Sequence, residues 1–423
     1  MCTGRWAVTT ETRTTGLAYA DRHGIRRQAA SFWLLALLLA LAVFSATAPS
    51  PLYAVYRARF GFSALTLTAI YAVYALGALA ALLIFGRLSD HIGRRSVVAL
   101  GLVLLMTSMG VFIAADGVAP LYVARVVQGM GAGIASGAIN AWLLDLQPHE
   151  NPRFGGLVGG VALIAGLGAG ALGSGLLVQY APNPLDLIYW LLAALYVAGL
   201  VSMPFIPDVV ERRAGALASM RPQVGVPRVA RQTFAALTPS MIAIWALGGL
   251  FASLGPSLAL TLLQTSNRVA GGAVIAALFL TSAAASAVFR GAEPRAMVTR
   301  GSLMLMAGVG LTLVAAVIES PIALYAGSIV AGIGFGPAFS GVIRTLTVLA
   351  PPDKRGALVA AIYIVIYVSF SVPTVLAGLA LARFPLRETT YVYGVIVMAL
   401  AGATTVAVAR RKTIAEANQV PAA

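Results

Sequence analysis

The side chains best equipped for chemistry in this chain are few, and several of them share one short turn. Gly86-Arg87-Leu88-Ser89-Asp90-His91-Ile92-Gly93-Arg94-Arg95 is wedged between two long apolar runs, Leu65 to Phe85 and Val97 to Ala115. A carboxylate and three arginines so close to hydrocarbon on both sides must lie at a membrane face, where acid and guanidinium can pair, part or pass a proton. Gly86 and Gly93 permit the chain to turn tightly. A carboxylate such as Asp90 facing a helix N-terminus gains about 0.3 to 1 kcal/mol, and about 2 kcal/mol when partly buried, enough to bias a two-state gate. Arg87, Arg94 and Arg95 also serve a simpler end, since basic residues beside a span fix its topology.

A second group lies inside an apolar run, Leu121-x-x-x-Arg125-x-x-Gln128-Gly129-x-Gly131-Ala132. Arg125, Gly129, Gly133 and Gly137 fall four apart and share one helical face, so the arginine heads a stripe of small residues that lets backbones approach. An arginine in hydrocarbon costs at least about 2.5 kcal/mol. It therefore calls for a partner or a watery cavity, unless it snorkels to the nearer surface. Gln128 and Asn140 share this helix and can line such a cavity, though Asn140 can equally bridge two helices. Gly166-x-x-x-Gly170-Ala171-x-x-Ser174-Gly175 makes a second small-residue stripe suited to close packing. No acid falls in the middle of an apolar run: Asp116, Asp145 and Asp186 lie at run ends. A proton-coupled carrier usually has a buried carboxylate, because burial raises its pKa toward neutrality. Any proton coupling here runs through Asp90, Asp145 and Arg125 at helix ends, or coupling is weak.

Other motifs fail on context. Gly168-Ala-Gly170-Ala-Leu-Gly173 matches the dinucleotide fingerprint in letters, but it lacks the preceding strand and the following acid that the fold requires. Lys354 and Lys412 are the only lysines, and neither follows a glycine, so there is no phosphate-binding loop and no ATP motor on this chain. His23, His91 and His149 have no metal-ligand spacing, and the lone Cys2 excludes a disulfide framework and a thiolate metal site. No nucleophile, base and acid can be placed together. The sequence therefore predicts no metal, no cofactor and no enzymatic activity.

The elements that must position these residues are membrane spans. The chain of 423 residues is 59% hydrophobic and 10% charged, where a soluble domain carries about 25% charged residues. A helix needs about 20 apolar residues to cross a bilayer. Twelve such runs are predicted, at 30–53, 64–85, 96–115, 119–145, 156–180, 185–206, 235–262, 270–290, 301–318, 322–346, 356–381 and 389–409. The net charge of +15 is concentrated on the N-terminal tail, in alternate loops and on the C-terminal tail. Both termini are thus expected in the cytoplasm. That distribution leaves no basic patch for nucleic acid.

The chain also repeats itself. Tyr122 to Pro148 aligns without a gap on Tyr325 to Pro351, matching Gly129, Gly131 and Gly133 with Gly332, Gly334 and Gly336. An offset of about half the chain implies two parallel six-helix repeats, which usually hold a substrate site near the midplane between them. The predicted organisation is a cytoplasmic tail at 1–29, a bundle at 30–206, a cytoplasmic linker at 207–234, a second bundle at 235–409 and a tail at 410–423. Tyr71 and Tyr74, Trp245 and Ser253, and Tyr363 and Tyr367 recur within single runs at spacings that place them together on a helix wall. As wall residues they suit an amphiphilic small molecule, and as packing residues they need no ligand.

The spacing Gly86-x-Leu88-x-Asp90-x-x-Gly93-Arg94-Arg95 resembles the signature loop between helices two and three of the major facilitator superfamily. The Arg125 motif resembles that superfamily's helix-four motif in proton-coupled members. The helix-five stripe approaches the exporters' glycine-proline pattern, but with Ala171 in place of proline and Ser174 in place of glycine. Together they resemble most the twelve-helix bacterial drug/proton antiporters. The resemblance implies an all-α polytopic fold of two pseudo-symmetric six-helix bundles in the plasma (inner) membrane, monomeric and working by alternating access. It implies that Asp90 reaches helix eleven when the protein is open outward, and that Asp90, Arg94 and Asp145 form a cytoplasmic latch. It also implies that helices one, four, seven and ten line the cavity, which adds Ser45, Gln128, Trp245 and Ser340 as wall positions. The expected activity is proton-coupled efflux of small, neutral or cationic amphiphiles. Uptake or facilitated movement of a small metabolite such as a sugar or organic acid is the first alternative. A non-transporting receptor or lipid-handling protein is the second. In the second half the equivalent loop, Phe289-Arg-Gly-Ala-Glu-Pro-Arg295, lacks the matching acid, so a latch is expected on one side only.

Overall fold

A computed structural model describes residues 11–417 apart from 149, 152 and 209, with side chains described within 27–409. The basic tail residues Arg5 to Arg26 and Arg410 to Lys412, with His149, therefore lie outside the described side chains. Among the described residues the secondary structure is helical, and twelve helices are long and apolar enough to cross a membrane. They are α1 (Glu11–Thr47), α2 (Ala64–Phe85), α3 (Arg94–Ile113), α4 (Val118–Leu146), α5 (Phe154–Tyr180), α6 (Leu187–Ser202), α7 (Arg228–Ser253), α8 (Arg268–Val288), α9 (Pro294–Ile318), α10 (Pro321–Leu349), α11 (Arg355–Ala380) and α12 (Leu386–Ala417).

Several predicted boundaries move: α7 starts at Arg228, inside the predicted linker, and three other shifts have a plain local reason. The first run does not continue to residue 53. Pro49 and Pro51 cannot extend a helix, so α1 stops at Thr47 and a separate helix, Tyr53–Phe60, follows and ends on Gly61 in the left-handed region (φ 66°). The seventh run breaks at Leu254, and Pro256 opens a further short helix, Gly255–Leu263. In the other direction α9 begins at Pro294, seven residues before the predicted run. Proline is pre-set for the first helical turn, and the charged turn behind it is invisible to hydropathy.

The repeat is visible in how the helices meet. A side chain at Gly129 on α4 would put its Cβ 2.2 Å from the Tyr74 carbonyl oxygen of α2, and one at Gly332 on α10 would lie 2.3 Å from the Leu278 carbonyl oxygen of α8. Likewise Gly101 on α3 and Gly301 on α9 each sit 2.7 Å (Cβ position) from a backbone nitrogen of the helix that follows, Ala135 and Ala338. Such approaches leave no room for a methyl group and hold membrane helices by backbone contact. The same registers thus recur in α1–α6 and α7–α12, the two pseudo-symmetric bundles expected from the internal alignment.

The bundles meet along α5 with α8 and α2 with α11, and the closest contacts fall at one end. Gly272 of α8 lies against Ala171 of α5, with a Cβ position 2.4 Å from the Ala171 carbonyl, and Gly378 of α11 lies against Thr68 of α2. The Arg268 amide donates to the Gln179 side chain across the same seam at 2.9 Å. At the opposite end, the basic face carrying the α2–α3 turn, the bundles diverge around a cavity. The segment between bundles crosses this face: Arg213 N–H donates to the His91 carbonyl (2.9 Å) and Gly225 N–H to the Ala357 carbonyl (3.2 Å), linking the α2–α3 turn to the start of α11.

Candidate functional site

The cavity has a volume of about 990 Å³ and is lined by both bundles. Its wall includes Tyr71 and Tyr74 from α2, Asn140 from α4, Trp245 from α7, Ser340 from α10, and Tyr363 and Tyr367 from α11, all singled out in the sequence. Ser45, Gln128 and Ser253 do not line it. Ser45 and Ser253 turn their hydroxyls back to their own helices, on the Ala42 carbonyl (2.8 Å) and the Gly249 carbonyl (2.7 Å), as serines in apolar helices tend to do. Gln128 is fully buried behind the wall and donates to the Ser45 carbonyl at 2.8 Å. Trp245 packs edge-on against Phe335 and Phe339, with centroids 5.5 and 5.3 Å away, and its buried Nε1–H has no acceptor among the described residues.

Arg125 does not snorkel. It is fully buried and points inward, where Nε donates to Tyr53 Oη (2.7 Å) and Nη1 to the Ala46 carbonyl (2.7 Å) and Gln128 Oε1 (2.8 Å). The guanidinium carbon lies over three rings, Tyr53, Tyr71 and Tyr74, at 5.4, 4.8 and 5.3 Å from their centroids. Desolvated cation–π contacts of this type are worth about 2 kcal/mol. Nη2 has no partner, and no carboxylate pairs with Arg125 among the described residues. Tyr53 escaped sequence reading because the proline turn after α1 folds it back against α2 and α4. Gly129 and Gly133 below Arg125 pack on the α2 backbone, and Gly137 touches the Leu82 side chain. Gly166 and Gly170 accept α1 at Ala40 and Phe44, while Gly175 faces α8 at Arg268. Ser174 is fully buried, with no hydrogen-bond partner for its hydroxyl among the described residues.

At the α2–α3 turn the three charged residues come together. Arg94 Nε donates to Asp145 Oδ2 at 3.0 Å, and its Nη1 donates to Asp90 Oδ1 and, at 2.7 Å, to Ser89 Oγ. Arg94 is buried while the Asp90 side chain is half exposed. Asp90 thus pairs inside its own bundle through Arg94. A fourth residue, Asp208, was not legible as part of this group and was expected only at the edge of the linker. Its carboxylate accepts the backbone N–H of Arg94 (3.3 Å) and Arg95 (3.1 Å), capping α3. Gly93 is required there, since its φ is 92° and a Cβ would fall 2.8 Å from the Asp208 carboxylate. The segment before Asp208 is held to the same face by Arg95 Nη2 on the Ile206 carbonyl (2.7 Å) and Trp142 Nε1 on the Pro207 carbonyl (2.9 Å). Asp208→Ala is expected to lower stability by about 1 kcal/mol, the usual cost of a lost cap. A melting curve indistinguishable from wild type would show that this cap is redundant.

The second half closes its turn with different chemistry. Arg344, on α10, donates from Nη1 to the carbonyls of Arg290 (3.0 Å) and Ala292 (3.2 Å) of the α8–α9 turn. The internal repeat does not point to it, because the aligned position in α4 is Ala141.

Twelve membrane helices in two like bundles, with a large cavity lined by both, define a polytopic membrane protein able to admit a small molecule. The family model of the Major Facilitator Superfamily matches residues 35–374, and the chain belongs to that superfamily. It is accordingly a secondary transporter of a small-molecule substrate across a lipid bilayer. No match to a curated protein was found.

Proposed function

We propose that the protein exports small, largely apolar molecules from the cytoplasm by alternating access, with its basic face and both termini on the cytoplasmic side. The observation behind this reading is the cavity of about 990 Å³, rich in aromatic side chains, open toward the basic face and closed at the other end by the Gly272 and Gly378 contacts. Cargo enters from the cytoplasm, the bundles rock about the midplane, and the far seam parts. In the outward-open state the basic ends come together, and Asp90, released from Arg94, becomes available to α11. The Asp90, Arg94 and Asp145 group then acts as a latch, and in a proton-linked cycle it is the place for the proton. A second reading, a facilitator without proton coupling, is favoured by one specific observation: the described cavity wall holds no carboxylate.

Proton movement in everted vesicles, on addition of dyes, antibiotics and small metabolites, tests the coupling directly. Release of protons from the lumen with a hydrophobic compound, lost in an Asp90→Asn, Arg125→Ala double variant, is the expected result. Demonstrable flux with no proton signal rejects the coupled cycle and leaves the facilitator. Absence of any flux, with no effect of Arg125→Ala, points instead to a receptor or lipid-handling role.

A further inference from the structure

We infer that the cargo is an amphiphilic organic anion, an aromatic body bearing a carboxylate or sulfonate. This inference rests on the cavity being the cargo site, as proposed above. Three arginines, Arg153, Arg290 and Arg344, line the cavity toward its open end, and no aspartate or glutamate is on the described wall. Among the described residues none of the three makes an ion pair. Behind Tyr71 and Tyr74 the buried guanidinium of Arg125 adds a positive charge with no carboxylate against it. A concave site of one sign with low-dielectric walls focuses its field and concentrates ions of the opposite sign.

Membrane topology alone does not account for this arrangement. An arginine that only marks the cytoplasmic side is equally served by a loop position facing water or headgroups. Arg344 instead lies within α10, half-buried on the cavity wall, and among the described residues only Nη1 of its guanidinium is engaged. A cationic drug would meet repulsion at the mouth and find no counter-charge inside. The sequence-based preference for a neutral or cationic compound, drawn from the scarcity of charge in the spans, missed this because the mouth arginines read as topology signals. With the cytoplasm negative, the membrane potential favours export of one negative charge by about 50-fold per 100 mV, a driving force that adds to any proton coupling.

Two dyes with the same ring system separate charge from hydrophobicity: 1-anilinonaphthalene-8-sulfonate and its uncharged analogue N-phenyl-1-naphthylamine. Binding to the full chain in nanodiscs is measured with empty nanodiscs subtracted, alongside dye-induced current in proteoliposomes against protein-free controls. The sulfonate is expected to bind about tenfold more tightly than the neutral dye, the effect of one charge-assisted hydrogen bond, and to produce a current that protein-free liposomes lack. Arg344→Gln is expected to erase that margin without weakening the neutral dye. The Arg153→Gln, Arg290→Gln pair, whose side chains are exposed, is expected to reduce it even where Arg344→Gln disturbs folding. Equal binding of the two dyes, or a sulfonate margin untouched by either set of variants, overturns the anion assignment and leaves the cavity a site for neutral cargo. Binding of neither dye overturns the anion assignment and the cargo cavity together.

Discussion

Gly272→Val is expected to drive the protein out of the conformation described above and to open the face opposite the cavity mouth. The Gly272 Cβ position is 2.4 Å from the Ala171 carbonyl and 3.4 Å from Leu172 Cα, so any side chain there wedges α8 of one bundle away from α5 of the other. The atoms met are backbone and cannot rotate aside. Overpacking of this kind costs about 1 to 3 kcal/mol, and the whole of it falls on the state in which this seam is closed. A two-state equilibrium then shifts roughly 5- to 150-fold toward the alternative. Cys2 is the only native cysteine, so a Cys2→Ser, Ser340→Cys background reports the change through an impermeant maleimide. Labelling of the cavity position from the basic face should fall, and labelling from the other face should rise. Transport should fall with it, because a carrier held on one side cannot cycle. Unchanged labelling would mean that the α5–α8 seam stays closed throughout the cycle and that the bundles part elsewhere.

Arg125→Met is expected to abolish transport while leaving the fold intact. The guanidinium is fully buried, and among the described residues it has no carboxylate partner and one of its nitrogens is unpaired. Desolvating such a charge costs several kcal/mol. Its three hydrogen bonds and the faces of three tyrosines offset part of that cost. The methionine variant loses those contacts, leaving the Tyr53 hydroxyl and the Gln128 amide short of a partner at about 1 to 3 kcal/mol, but it also removes the desolvation cost. The two changes nearly cancel, so melting should move by only a few degrees, on the scale of about 1 kcal/mol. Transport should drop at least about 100-fold, since an ionisable side chain within a membrane span that contributes little to stability is the mark of a functional one. A collapse of the melting temperature would recast Arg125 as a structural clamp between α4 and the turn after α1. Full transport by a stable variant would remove it from the mechanism altogether.

The sequence alone determined the parts of this protein that are local to a chain segment. Twelve spans follow from runs of apolar residues, because hydrocarbon forces each run to satisfy its own backbone as a helix. The two-bundle repeat follows from the glycine register of α4 and α10, since a missing side chain is needed wherever two backbones touch. The grouping of Asp90, Arg94 and Asp145 came from the resemblance of the α2–α3 turn to the superfamily's signature loop, and its Asp90–Arg94 pair lies within one helical turn. The tertiary structure decided which side chains meet across distance. It turned Tyr71, Asn140 and Trp245 into the cavity while rotating Ser45 and Ser253 onto their own helices, a choice made by helix packing and not by polarity. It brought Tyr53 from beyond a proline turn to cage Arg125, and it carried Asp208 from the end of the first bundle to cap α3. It also set Arg344 on the cavity wall, beside the α8–α9 turn whose carbonyls it holds. These outcomes depend on contacts between residues tens to more than a hundred positions apart, fixed by the close approach of whole helices, and no periodicity within a single span encodes them.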